Sequence, residues 1–137
     1  MDHRLNSTYW ALRIAFGATA FLAGLDKFFN LLTNWEQYVS PLLTGILPVS
    51  ASFLMHVVGV IEMAAGIIVL SGMTRIGAYI VSAWLVAIAV SLLTTGRYFD
   101  IAVRDLVLAI GAYTLAQLAE VREESGAHAA SLETRLA

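Results

Sequence analysis

Charged residues stand in only a few places inside the apolar stretches of this chain, and their types suit proton handling or the capture of a polar headgroup. Asp26-Lys27 sets an acid beside a base within Ala23-Gly24-Leu25-Asp26-Lys27-Phe28. His56 and Glu62 share a second apolar stretch, and Arg104-Asp105 opens a later one. A carboxylate withdrawn from water holds its proton more tightly and can pass it on, which makes Glu62 and Asp26 the candidate proton-handling residues. Glu62 is the stronger of the two, because no base stands beside it in sequence. Lys27 and Arg104 can attract an anionic group. His56, near the start of a stretch, reads as a hydrogen-bonded packing residue more readily than as a ligand. The other two histidines, His3 and His128, lie in terminal regions, so no metal site is expected.

These residues must be positioned by membrane helices. The chain has 137 residues, of which 59% are hydrophobic and 13% charged, with a mean hydropathy of +0.78. Soluble domains carry about 25% charged residues, so this is an integral membrane protein with room for one domain. A net charge of -2 gives no basic footprint for nucleic acid. The absence of cysteine excludes disulfides and thiol redox chemistry.

Four stretches reach or approach the ~20 residues that a spanning helix needs: about 9–29, 52–70, 76–94 and 101–119. Together they make residues 1–120 a four-span unit, followed by a polar tail, 121–137, expected to be a fraying helical extension and then disorder. Ala18-Thr19-Ala20 has the form of a signal-peptide cleavage site but lies inside an apolar run, so the first helix is expected to be retained. Gly17, Ala20 and Gly24 in the first span, and Gly59 and Gly66 around Glu62 in the second, mark faces where helices approach closely. The third span has no charged residue and is expected to be mainly structural and the most exposed to lipid. Asp100 is expected to cap the fourth.

The connector 31–50 reads as two short amphipathic helices lying on the membrane surface or over the bundle mouth. Thr33 and Glu36 have the form of a capping box, and Ser40-Pro41 is a cap followed by proline at the first helical position. Trp35 is then a candidate pocket lid. Trp10, Trp35, Tyr38 and Tyr98 suit an aromatic belt, and Arg13 and Arg97 suit anchors that snorkel to the headgroups.

With four spans both termini share a side. That side holds Arg4, Arg13, Arg75, Arg122 and Arg135, and the other holds Lys27, Arg97 and Arg104, so the termini are expected to be cytoplasmic. Asp26-Lys27, His56 and Arg104-Asp105 then lie at similar depth near the outer surface, with Glu62 roughly 9 Å deeper than His56 at the ~1.5 Å rise per residue. Insertion costs of about 2.5–3.5 kcal/mol for each central charge favour convergence over exposure to lipid. The pairings expected are Asp26 or Glu62 with Arg104, and Lys27 with Asp105. The same residues can be read as ion pairs that only fix helix register.

The motifs Ala23-Gly24-Leu25-Asp26-Lys27-Phe28, Gly59-x-x-Glu62-x-x-x-Gly66 and Arg104-Asp105, in this order over about residues 9–120, resemble the DoxX family of small four-helix membrane proteins. The resemblance implies a bacterial cytoplasmic-membrane protein tied to quinone or sulfur redox metabolism. The fold expected is all-α: an integral membrane four-helix bundle with two short amphipathic helices between its first and second spans. The function expected is that of a subunit or accessory of a membrane redox complex. It would bind a quinone-like small amphiphile in an outer-facing pocket formed by Asp26, Lys27, Trp35, His56, Glu62, Arg104 and Asp105. The alternative is a non-enzymatic accessory for assembly or traffic of partner membrane proteins, with the charged cluster structural. A permease component would require an oligomer.

Overall fold

A computed structural model describes residues 2–137, and among them there are helices and no strand. Four helices are long and apolar enough to cross a membrane: α1 (His3–Asp26), α3 (Ala51–Leu70), α4 (Thr74–Thr94) and α5 (Phe99–Leu136). A short 3₁₀ turn (Trp35–Tyr38) and α2 (Pro41–Ile46) fill the connector between α1 and α3.

Local chemistry sets where α1 begins and ends. The Asp2 carboxylate accepts the Arg4 N–H at 2.8 Å and starts the helix well ahead of Tyr9, the expected beginning. At the other end Asp26 accepts the backbone N–H groups of Leu31 (3.0 Å) and Leu32 (2.9 Å). Asn30 takes a left-handed backbone with φ 55°. The chain therefore turns over its last helical side chain, three residues short of Phe29.

Helices α1 and α3 cross glycine on glycine. A Cβ built on Gly24 would lie 2.5 Å from the Gly59 carbonyl oxygen, and one on Gly66 would lie 2.7 Å from that of Gly17. Such contact lets the two backbones touch, the means by which membrane helices gain packing without a hydrophobic driving force. Arg13 on α1 donates to the Val69, Leu70 and Ser71 carbonyls at 3.1, 2.8 and 2.6 Å. Its guanidinium also lies 4.5 Å from the Trp10 ring centroid. Instead of reaching for headgroups as expected, Arg13 closes the α3 C-terminus, where the orphan carbonyls and the helix dipole favour a cation.

Helix α4 turns back tightly from α3 and packs along α5 through small residues. Ala78, Ala89, Ala102 and Ala112 are fully buried, and Ser82 donates to the Ala109 carbonyl at 2.8 Å. This corrects the expectation that the third span is the most exposed to lipid: 28% of the apolar stretch of α4 is buried, against 17% for α1. Tyr98, in a left-handed conformation (φ 62°), precedes α5 without a side-chain cap, and the expected cap Asp100 instead lies inside the first turn.

After Glu120 the chain stays helical through Leu136, where a fraying helical extension and then disorder were expected. Arg75 reaches Glu120 (3.4 Å) and Glu123 (3.6 Å), and the Arg122 guanidinium lies 4.7 Å from the Tyr9 ring centroid, so three contacts bind the extension to the bundle. The alanines that follow are strong helix formers. At 38 residues α5 runs about 57 Å, nearly twice the ~30 Å hydrocarbon core, so nearly half of it is more than a single crossing needs.

The connector is tied down at both ends. Asn34, and not Thr33, caps the 3₁₀ turn by accepting the Glu36 N–H at 3.3 Å, while the Thr33 hydroxyl accepts from the Gln37 side chain at 2.8 Å. Ser40 caps α2 as expected, accepting the Leu42 N–H at 3.3 Å, and its hydroxyl also meets that of Thr94 at 2.7 Å. Because the Thr94 hydroxyl already donates to the Ser91 carbonyl at 2.6 Å, Ser40 is the donor between them. Ser40→Ala is thus expected to remove a cap and a buried tether together and to lower stability by about 1–2 kcal/mol. Thermal unfolding in detergent should show a smaller loss for Thr94→Ala, which removes only the tether.

Candidate functional site

The carboxylate and ammonium that meet inside the bundle are Glu62 and Lys27. Their side chains are 10% and 6% exposed, and Lys27 Nζ lies 2.6 Å from Glu62 Oε2. The crossing at Gly24 and Gly59 delivers them: Lys27 follows Gly24 by three residues on α1, and Glu62 follows Gly59 by three on α3. Each glycine therefore brings its helix close one turn before its charged residue.

Two indoles complete the pair. Lys27 Nζ sits 3.9 Å from the Trp35 ring centroid, a cation–π contact, and Trp84 Nε1 donates to Glu62 Oε1 at 3.3 Å. Trp35 Nε1 in turn donates to Asp26 Oδ2 at 2.9 Å. Asp26 thus holds both the turn after α1 and the indole that roofs Lys27. A continuous polar chain runs Leu31/Leu32–Asp26–Trp35–Lys27–Glu62–Trp84 through three spans and the connector.

The pairings differ from those expected. Lys27 takes Glu62 and not Asp105, because the glycine contact sets α1 against α3. Arg104 takes neither Asp26 nor Glu62: its side chain is 66% exposed and reaches only its own neighbour, with Nε 3.8 Å from Asp105 Oδ1. Asp105 is buried, and among the described residues it accepts no hydrogen bond. His56 is exposed and stacks on Phe28, with ring centroids 4.8 Å apart and planes 5° from parallel. Of the hydrogen-bonded packing role expected of it, only the stacking is present among the described residues.

Trp84 was the residue missed as a site component, its charge-free span having been assigned a structural role. The signal lay in hairpin arithmetic: α3 and α4 turn around Gly72-Met73, and positions 62 and 84 are each eleven residues from 73, hence at one depth.

Trp35 is the roof, so its variants should separate its two contacts. Trp35→Phe keeps a ring over Lys27 but leaves Asp26 without the indole N–H, at about 1 kcal/mol. Trp35→Ala also removes the cation–π contact, for a total of about 2–3 kcal/mol. Proteolysis within residues 31–50 should quicken in the same order.

Four apolar spans packed around a buried ammonium–carboxylate pair define a small multi-pass helical membrane protein. A family model described as DoxX matches residues 9–94, more than half of the chain, and the chain belongs to the DoxX family. The match ends with α4, so Arg104-Asp105 on α5 lies beyond it. No match was found among curated proteins or among solved structures.

Proposed function

We propose that the chain acts as a membrane subunit that binds the headgroup of a quinone-like small amphiphile at the Lys27–Glu62 pair, under the Trp35 roof. The observation that carries this reading is the Lys27 ammonium itself: it is buried in an apolar bundle, lies against an indole face, and gives one of its three N–H donors to Glu62. A carbonyl or hydroxyl oxygen suits that donor set, and the neighbouring indoles suit an aromatic headgroup. An apolar enclosure with a few convergent polar groups is the usual form of a small-molecule site. A quinone, when bound, would supply two-electron, two-proton redox chemistry. In this chain Lys27 would bind and orient the headgroup oxygen, Glu62 would hold or accept a proton at Oε2, and the connector would exclude water.

The site lies at the bundle end away from the termini. With the arginine-rich termini side taken as cytoplasmic, it faces outward from a bacterial cytoplasmic membrane. Electron transfer would then fall to a partner, since the chain has no thiol of its own.

A second reading, an accessory for assembly of partner membrane proteins, is favoured by Asp26. Its carboxylate is filled by two backbone N–H groups and one indole, as a purely structural group would be. Purification from native membranes in mild detergent, followed by lipid extraction and mass spectrometry, separates the two. The binding reading expects a co-purifying quinone that is lost in a folded Lys27→Met/Glu62→Leu variant. Absence of quinone together with no affinity for added short-chain quinone supports the accessory reading.

A further inference from the structure

The opposite end of the bundle carries a cavity of about 500 Å³ that plays no part in the site described above. Asn6 and Tyr9 of α1, Thr74 of α4, and Arg122, Ser125 and Gly126 of α5 line it. A second cavity of about 480 Å³ shares Gly72 and Glu123 with it and continues past Met73 and Ile76, both exposed on the bundle surface. The two make a trough that begins among polar groups where α5 leaves the membrane and ends on an apolar, lipid-facing flank.

Arg122 is the cation in this trough whose charge is not otherwise used. Arg75 is engaged by Glu120 and Glu123, so the one acidic side chain lining the cavity, Glu123, is already paired. Arg13 is spent on the α3 carbonyls. Arg122 makes no ion pair and no side-chain hydrogen bond among the described residues. Its guanidinium is instead held over aromatic faces, 4.7 Å from the Tyr9 centroid and 5.5 Å from that of Trp10. A guanidinium presents five N–H donors in a planar fork matched to phosphate oxygens. Lying over the rings without an acidic partner among the described residues, the group keeps its donors available. An aromatic pair, a guanidinium with available donors and an apolar flank at one membrane boundary match the parts of a phospholipid in their order: interface, phosphate, acyl chain.

We propose that this trough binds an anionic phospholipid, with Arg122 anchoring the phosphate and the Met73–Ile76 flank receiving an acyl chain. The trough lies on the arginine-rich side of the bundle, where an anionic leaflet would supply the lipid.

Native mass spectrometry of the full chain in mild detergent, with phosphatidylglycerol or phosphatidylcholine added, tests this. The wild type is expected to retain one phosphatidylglycerol per chain in preference to phosphatidylcholine. Arg122→Ala should weaken retention about tenfold, or about 1.4 kcal/mol, and Arg122→Lys should fall between. Gly126→Leu gives a second variant: a Cβ there meets nothing within 4 Å, so the side chain can enter the trough without displacing backbone, and it too should weaken retention. Millimolar inorganic phosphate should not compete. Equal retention by Arg122→Ala and wild type, or equal retention of the two lipids, would overturn the proposal. So would binding of inorganic phosphate with phosphatidylglycerol excluded, which would assign the trough to a soluble anion.

Discussion

Glu62→Ala is expected to destabilise the protein by about 3–5 kcal/mol, the cost of leaving an uncompensated charge in a buried position. Among the described residues Lys27 Nζ makes its one ion pair with Glu62 Oε2, at 2.6 Å, and its side chain is 6% exposed. Truncating Glu62 therefore leaves an ammonium with an indole face and no carboxylate at ion-pair distance among the described residues, and leaves the Trp84 N–H without its acceptor. Glu62→Gln should cost less, since an amide oxygen can still accept from Lys27 or Trp84. Lys27→Met/Glu62→Leu removes both charges and should recover most of the loss, because two apolar residues of similar volume replace an ion pair whose desolvation is itself costly. Unfolding in detergent, read as a double-mutant cycle, measures the coupling. A double variant no more stable than Glu62→Ala would mean that the pair is not where the cost arises.

Gly59→Leu should be at least as damaging, through packing instead of charge. A Cβ at position 59 would lie 2.6 Å from the Gly24 carbonyl oxygen and 3.2 Å from both Lys27 Cβ and Phe28. The first of these is backbone, so α1 must move as a body to make room. Overpacking of this kind costs about 1–3 kcal/mol where side chains can adjust, and more where they cannot. The displacement also carries Lys27 away from Glu62, so the packing and electrostatic losses add in the same direction. Even Gly59→Ala should lower the melting temperature clearly. Gly126→Ala serves as the control: nothing lies within 4 Å of its Cβ, and alanine should be neutral or stabilising by up to about 1 kcal/mol in that helix.

Much of this was legible in the sequence. The four spans follow from apolar length, and the glycines at 24, 59 and 66 marked close-packing faces, though not that these two faces meet each other. Asp26, Lys27, Glu62 and Trp35, which the structure brings together, stood out because charges and indoles are costly to leave unpartnered in lipid. What was not legible was who pairs with whom. Depth along a helix can be read from residue counts, but rotation cannot, so Lys27 was matched to Asp105 at its own depth when the glycine crossing turns it toward Glu62. Ion pairs with Arg75 and stacking on Tyr9 likewise hold the tail in helix, and such long-range contacts leave no local signal in residues 121–137. Trp84 escaped for a related reason, since only the hairpin as a whole reveals that it faces Glu62.

The most direct measurement of the proposed role is photo-crosslinking in native membranes with a short-chain quinone carrying a photoreactive group, followed by peptide mapping. Label competed away by unmodified quinone should fall on the residues around Lys27 and Trp35, on α3 near Glu62, and on α4 near Trp84. It should disappear in the Lys27→Met/Glu62→Leu variant. Competable label confined to other segments, or label unchanged in that variant, would contradict a binding site at the Lys27–Glu62 pair.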